Sequence, residues 1–115
     1  MHLKIDSGMN RLGIKPSEIP SFIDIRHSQP ELYLKGVYSH FAESDNQFDT
    51  AFTKHQLDVF LDACGVLSKH ISYPYIKHMA NSAAIITEPN AVLDMVRMGL
   101  VVYGAADLKA KKQLE

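Results

Sequence analysis

The sequence predicts an α/β fold with a parallel sheet and helices outside it. Two observations carry this: strand-like and helix-like apolar periodicities alternate along the chain, and one long segment repeats its apolar residues at three- and four-residue spacing.

Leu3 and Ile5, alternating with Lys4 and Asp6, read as a short strand that begins almost at the first residue. Ser7-Gly8-Met9-Asn10-Arg11 reads as a loop with Gly8 as its flexible point. A helix is predicted over Ser17 to His27, with Ser17 as N-cap, Pro20 in the first turn and Phe22, Ile23 and Ile25 on the apolar side. Gln29-Pro30 ends it. Leu32 to Phe41, rich in β-branched and aromatic residues, is the second expected strand, with Gly36 inside it. Ala42 to Gln47 is a polar loop. Phe48, Phe52, Leu57, Phe60, Leu61, Cys64 and Leu67 define the clearest amphipathic helix. Ile71 to Ile76 is expected as a third strand, leading into His78-Met79-Ala80-Asn81-Ser82. A short helix from Ser82 to about Ile86 ends near Pro89, and Asp94 to Arg97 is expected as a fourth short strand before Gly99 to Gly104.

Repeated βα units of this kind build either open sheets or barrels. A complete (β/α)8 barrel of the TIM type takes roughly 250 residues, against 115 in this chain. About four βα units make a partial barrel. Such a piece leaves two strand edges and an apolar face open, so self-association or a complementing segment is expected.

Composition narrows the function classes. With 46% hydrophobic and 22% charged residues the chain is no disordered polymer. The net charge is −1, and the only local basic cluster is Lys109, Lys111 and Lys112 in a polar tail, so nucleic acid is not an expected partner. No stretch approaches the ~18 apolar residues of a membrane span. Nor does the N-terminus resemble a secretory leader, and a cytoplasmic setting is expected. The single Cys64 excludes an internal disulfide or a cysteine-pair zinc site, and His2, His27, His55, His70 and His78 lack metal-binding spacing.

In βα folds the loops after the strand C-termini converge on the ligand site. Arg11, His40, Asn81, Ser82 and Arg97 fall at such ends and suit a ligand bearing a phosphate or carboxylate. Each also has a plainer reading. His40 beside Phe41 suits a boundary histidine, Arg97 a structural ion pair, Asn81-Ser82 a helix cap, and Lys4 an edge-strand lysine.

Several strings together resemble the N-terminal barrel domain of the alanine racemases. They are Leu3-Lys4-Ile5-Asp6-Ser7-Gly8-Met9-Asn10-Arg11-Leu12-Gly13, Gly36-Val37-Tyr38-Ser39-His40-Phe41-Ala42-Glu43-Ser44-Asp45, His78-Met79-Ala80-Asn81-Ser82-Ala83-Ala84, and Asp94-Met95-Val96-Arg97-Met98-Gly99-Leu100 followed by Tyr103-Gly104. The resemblance covers residues 1–104 as part of that domain and leaves 105–115 as an unmatched polar tail. It implies a pyridoxal phosphate cofactor, alanine as substrate and interconversion of its L and D forms. In that assignment Arg97 faces the pyridine nitrogen and His40 lies against the ring. Ser82 and the backbone N–H groups of Gly99 and Leu100 hold the phosphate, beside a wall formed by Asn81. Arg11 approaches the substrate carboxylate, supported by Lys4, which matches a lysine carbamylated in some members. The family's two catalytic bases, a cofactor-bearing lysine and a tyrosine from the partner subunit, have no matching motif here, so the chain is expected to be inactive alone. A pyridoxal phosphate carrier of related barrel fold, which usually lacks the His-Phe-Ala and Ala-Asn-Ser pieces, and an inactive remnant are the alternative readings.

Overall fold

A computed structural model describes residues 1–45 and 50–104. Three short strands, β1 (His2–Lys4), β2 (Gly36–Tyr38) and β3 (Ile76–His78), pair in parallel in the order β1-β2-β3. Parallel neighbours need a long crossover. Helix α1 (Ile19–Ser28) supplies it between β1 and β2, and α2 (Ala51–Ser68) between β2 and β3. Beyond β3 lie one turn of helix, α3 (Ala84–Thr87), and 3-10 turns at Pro89–Ala91 and Leu100–Tyr103. The expected α/β class with a parallel sheet is present.

The sheet register gives the molecule two unlike faces. Leu3 and Val37 stand side by side on one face, and Ile5 and Met79 continue it; all four are buried. They form the core with Ile19, Phe22 and Ile23 from α1 and Leu57, Phe60, Cys64 and Leu67 from α2. The opposite face carries a row in which Lys4, Tyr38 and His78 are in register, with His2 two residues before Lys4 and His40 two residues after Tyr38. Polar side chains therefore share the face that the helices do not cover.

Several sequence-based expectations change. Ser17 does not cap α1. A 3-10 turn over Pro16–Glu18 precedes the helix, Pro20 sits in the first turn, and the Glu18 carboxylate accepts the Lys15 N–H at 2.7 Å. The third strand lies at Ile76–His78 instead of Ile71–Ile76. Pro74 has no N–H to donate, and the tyrosines beside it serve tertiary contacts. Tyr75 Oη donates to the Cys64 carbonyl (2.8 Å), and Tyr73 Oη accepts the Leu34 N–H (3.0 Å). The second strand is confined to Gly36–Tyr38, because Leu32 and Tyr33 donate to Gln29 and Glu31 in a turn.

Asp94 to Arg97 is not a strand. The Asp94 and Arg97 N–H groups donate to the Lys77 and Ala80 carbonyls, and the Asp94 carboxylate takes the Lys77 N–H. These backbone bonds fall three residues apart, off the two-residue repeat of a ladder, so the segment fastens to the β3 edge without extending the sheet. On α2 the buried stripe is Thr53, Gln56, Leu57, Phe60, Cys64 and Leu67, whereas Phe52 and Leu61 are exposed; Phe48 lies outside the described residues.

The chain folds back over the free edge of β1 at Ile14, which gives its N–H to Lys4 O and accepts from Asp6 N–H. Gly13 makes this possible. It has φ +114°, and a Cβ there would lie 2.9 Å from Lys4 O. A side chain at Gly13 is thus opposed by both backbone conformation and space. Gly13→Ala is expected to lower the unfolding free energy by about 1–3 kcal/mol, read as a lower urea midpoint at unchanged m-value.

Candidate ligand-binding site

The site assembles where β2 and β3 end. Parallel strands finish at one edge of the sheet, and their last carbonyls have no further ladder to join. Arg97 supplies the missing donors. Its Nη2 donates to Ser39 O at 2.7 Å and to Met79 O at 3.3 Å, and its Nη1 donates to His78 O at 3.2 Å. Two imidazoles complete the shell, with His78 Nδ1 2.6 Å from Nη1 and His40 Nδ1 3.2 Å from Nη2. The guanidinium also lies over the Tyr38 ring, 5.2 Å from its centroid. No carboxylate pairs with Arg97 among the described residues, so the structural ion pair considered for it is not formed there. Its Nε–H is the one donor of the group without a hydrogen-bond partner there.

Burial and then the Arg97 charge depress the basicity of both imidazoles. For His78 the pKa falls to about 4. His40 is lowered by burial first, then by Arg97, Arg11 and Lys4. Lys4 is lowered by burial first, then by Arg11, and its ammonium donates to Leu12 O at 2.7 Å. Lys4 and Arg11 thus face the same region as like charges, and Arg11 is exposed on the loop after β1. Asp6 organises that loop. Its Oδ1 accepts the N–H groups of Gly8 (3.1 Å) and Asn10 (3.0 Å). Burial opposes its ionisation, but these bonds and the Lys4 charge prevail, so its pKa is lowered.

Asn81 and Ser82 follow β3. Asn81 Oδ1 accepts the Ala84 N–H at 3.0 Å and the Ser44 hydroxyl at 2.8 Å, which caps the start of α3 and ties it to the loop after β2. Ser82 reaches across to the turn after Arg97. Its Oγ accepts the Gly99 N–H at 2.8 Å and the Val101 N–H at 3.4 Å, which leaves its own proton free for another acceptor. Leu100, between these two donors, is exposed.

The structure thus brings His40 and Arg97 into direct contact, joins Ser82 to Gly99, and sets Lys4 and Arg11 electrostatically beside His40. Sequence reasoning missed Tyr38 and His78. Alternation carried on from β2 would have put Tyr38 with His40, but a strand placed at Ile71–Ile76 lost the parity that puts His78 beside Tyr38.

A parallel βα sheet with a guanidinium, imidazoles and a serine-anchored turn at its C-terminal edge places this chain among α/β domains, and the groups at that edge suit an anionic ligand. Residues 1–107 match the family model for the alanine racemase N-terminal domain. The chain belongs to the alanine racemase N-terminal domain family. It is 43% identical over 110 residues to the alanine racemase of Chlorobaculum tepidum, covering 96% of this chain and 28% of that protein. The Treponema denticola alanine racemase is 42% identical over 108 residues, covering 92% and 28%. Among solved structures, alanine racemase from Streptomyces lavendulae superposes with a TM-score of 0.85 at 34% identity, covering 95% of this chain and 29% of that one. Alanine racemase from Bacillus anthracis with bound L-Ala-P gives 0.85 at 33%, covering 96% and 29%. The chain spans about 28% of the length of the curated relatives it matches. These matches do not favour the carrier alternative. Among the described residues no helix is long and apolar enough to cross a membrane, and no group of three or more His, Cys, Asp or Glu side chains could hold a metal ion.

The lowered His78 pKa makes stability depend on pH. Between about 4 and 6.5 the unfolded histidine is protonated and the folded one is not. The unfolded chain then binds about one more proton, so stability rises with pH across that window. The stabilisation is complete above the unfolded pKa and is lost as pH falls through about 4. Lowered His40 acts in the same direction. Urea midpoints measured from pH 7 to 4 are expected to fall more steeply for the native chain than for His78→Asn.

Proposed function

We propose that this chain forms the cofactor- and carboxylate-binding wall of a pyridoxal phosphate-dependent alanine racemase, built as part of a TIM-type barrel. The observation that carries this reading is the shell of Arg97. Every terminal N–H of its guanidinium is engaged, and among the described residues Nε–H alone is left to donate. That arrangement suits an unprotonated pyridine nitrogen, because a guanidinium does not surrender its proton.

The residues present fit the group in two further respects. The Ser82 hydroxyl, already receiving the Gly99 and Val101 N–H groups, has its proton available for a phosphate oxygen. His40, held neutral by burial and by three neighbouring cations, offers an uncharged ring to pack against the heterocycle. When bound, pyridoxal phosphate supplies an electron-withdrawing ring that acidifies the α-proton of an amino acid. Arg97 would hold the ring nitrogen through its Nε–H and, by keeping its own proton, would moderate that pull. Exposed Arg11 attracts the substrate carboxylate, with Lys4 adding positive charge unless it is carbamylated. Asn81 keeps the wall behind the phosphate rigid through Ser44 and Ala84.

Neither imidazole is placed as the base for the α-proton, since both Nδ1 atoms are engaged with Arg97. The family resemblance assigns the two proton-transfer groups, a lysine and a tyrosine, to segments that have no matching motif in this chain. Met98, Leu100, Val102 and Tyr103, all exposed beside the site, suit contact with such segments or with a second copy.

Titrating the chain with pyridoxal 5′-phosphate, followed by absorbance and fluorescence, is expected to show saturable binding. Arg97→Lys removes the Nε–H donor and should weaken binding about 10- to 100-fold. Ser82→Ala should weaken the phosphorylated form and leave pyridoxal unaffected. No D-alanine should form from L-alanine with the chain alone. Absence of saturation, or equal affinity in Arg97→Lys, contradicts the cofactor assignment; turnover by the chain alone contradicts the assignment of the bases.

A further inference from the structure

Next to the site lies a pair of histidines that the proposed chemistry does not use. His78 Nε2 is 3.0 Å from His2 Nδ1, while His78 Nδ1 faces Arg97. We propose that His78 and His2 form a relay with a single proton direction that positions Arg97, so that both are positioning residues for the ligand facing its Nε–H. The inference rests on the reading that Arg97 meets the ligand.

The direction follows from what each atom can do. A guanidinium only donates. His78 Nδ1, 2.6 Å from Arg97 Nη1, must therefore be an acceptor with a free lone pair. A neutral imidazole with Nδ1 bare carries its proton on Nε2. That proton points along the 3.0 Å contact to His2 Nδ1, which must also be bare, so neutral His2 is protonated on Nε2. The reverse order would require His78 to hold no proton on either nitrogen, an imidazolate that water at neutral pH does not support. A cationic His78 would turn Nδ1–H toward the Arg97 N–H, placing donor against donor and positive charge against positive charge.

Packing holds these planes in place. Tyr38 stacks on His78 with ring centroids 5.0 Å apart and 3° between planes, and Arg97 covers the same Tyr38 ring. Tyr38 and His78 are register partners on neighbouring strands. At the other end His2 lies over Gly36. A Cβ at that position would come within 2.6 Å of His2 Cε1 and Nδ1, so the bare glycine makes the space that the imidazole uses. With Nη1 tied to His78 and Nη2 tied to strand carbonyls and His40, rotation of the guanidinium is blocked and Nε–H keeps one direction.

The test is nuclear magnetic resonance of the uniformly 15N-labelled chain without ligand. Two-bond proton–nitrogen correlations at pH 7 should show the Nε2–H form for both His2 and His78, a measurement that requires no variant. His78→Leu should free the guanidinium to rotate and abolish the separation between the Arg97 Nη resonances. His78→Asn, whose amide oxygen can take the place of Nδ1, should restore it. In His2→Leu, His78 should keep the Nε2–H form that Arg97 imposes, while that Nε2–H, deprived of its acceptor, exchanges faster with water. Pyridoxal phosphate affinity should fall about tenfold in His78→Leu and recover in His78→Asn. An Nδ1–H form at His78, or unchanged separation of the Arg97 Nη resonances in His78→Leu, overturns the proposal. If the tautomers and the Arg97 signal behave as stated while pyridoxal phosphate fails to bind in any form, the relay stands and the cofactor assignment falls instead.

Discussion

One guanidinium holds the working end of this molecule together. Two parallel strands stop at the same edge, and each leaves carbonyl groups that no further strand can satisfy. Arg97 arrives on an irregular segment and donates to two of them, from Ser39 and Met79, and adds a second donor to His78 O, which also takes the Ser39 N–H at 3.3 Å. A charged donor is well suited to this, since charge-assisted hydrogen bonds are roughly twice as strong as neutral ones. Its cost is desolvation, which lowers the Arg97 pKa, although a guanidinium remains protonated. Among the described residues this cation meets neutral acceptors and the face of Tyr38 in place of a carboxylate. Its positive charge is therefore not neutralised locally and stays available to an anionic or electron-rich ligand.

The two faces of the sheet divide the labour. On the helix side, Leu3, Ile5, Val37 and Met79 are buried against α1 and α2, and this burial supplies most of the drive to fold. Across the sheet, the same period of two places Lys4, Tyr38, His40 and His78 together. Some polar groups hold the layers in register without joining the ligand side. Ser39 Oγ donates to Ile5 O (2.8 Å) and meets Ser7 Oγ (2.7 Å), which joins the end of β1 to the end of β2. At the opposite edge Tyr33 stacks on Tyr73, and Arg26 lies over Tyr73, clamping the loops that enter β2 and β3. The scaffold is thereby fastened at both ends of very short strands, while the side chains proposed to meet a ligand sit only at one.

Much of this was legible in the residues themselves. Alternation in the first residues located β1, and the three- and four-residue spacing of Leu57, Phe60, Cys64 and Leu67 located α2. The order of βα units implied a parallel sheet, and that in turn implied that strand C-termini share an edge. Four separated strings were enough to identify the family. Ser17 failed as a cap because proline geometry at Pro16 and Pro20 set the helix start. Phe52 failed as a core residue because Thr53 and Gln56 took the inward positions on α2; Thr53 donates to Glu43 O, and Gln56 accepts from Ala42 N–H.

The sequence by itself determined the alternation of elements, the apolar faces and the residue types able to meet a ligand bearing a phosphate or a carboxylate. These are local properties, written in spacing and side-chain chemistry. Only the tertiary structure decided that Arg97 lies outside any strand, that His78 belongs with Tyr38, and that His2 closes the row. Those outcomes depend on strand register. A shift of one residue exchanges the faces of a strand, and the register of β3 was settled by carbonyl and tyrosine partners drawn from elsewhere in the chain.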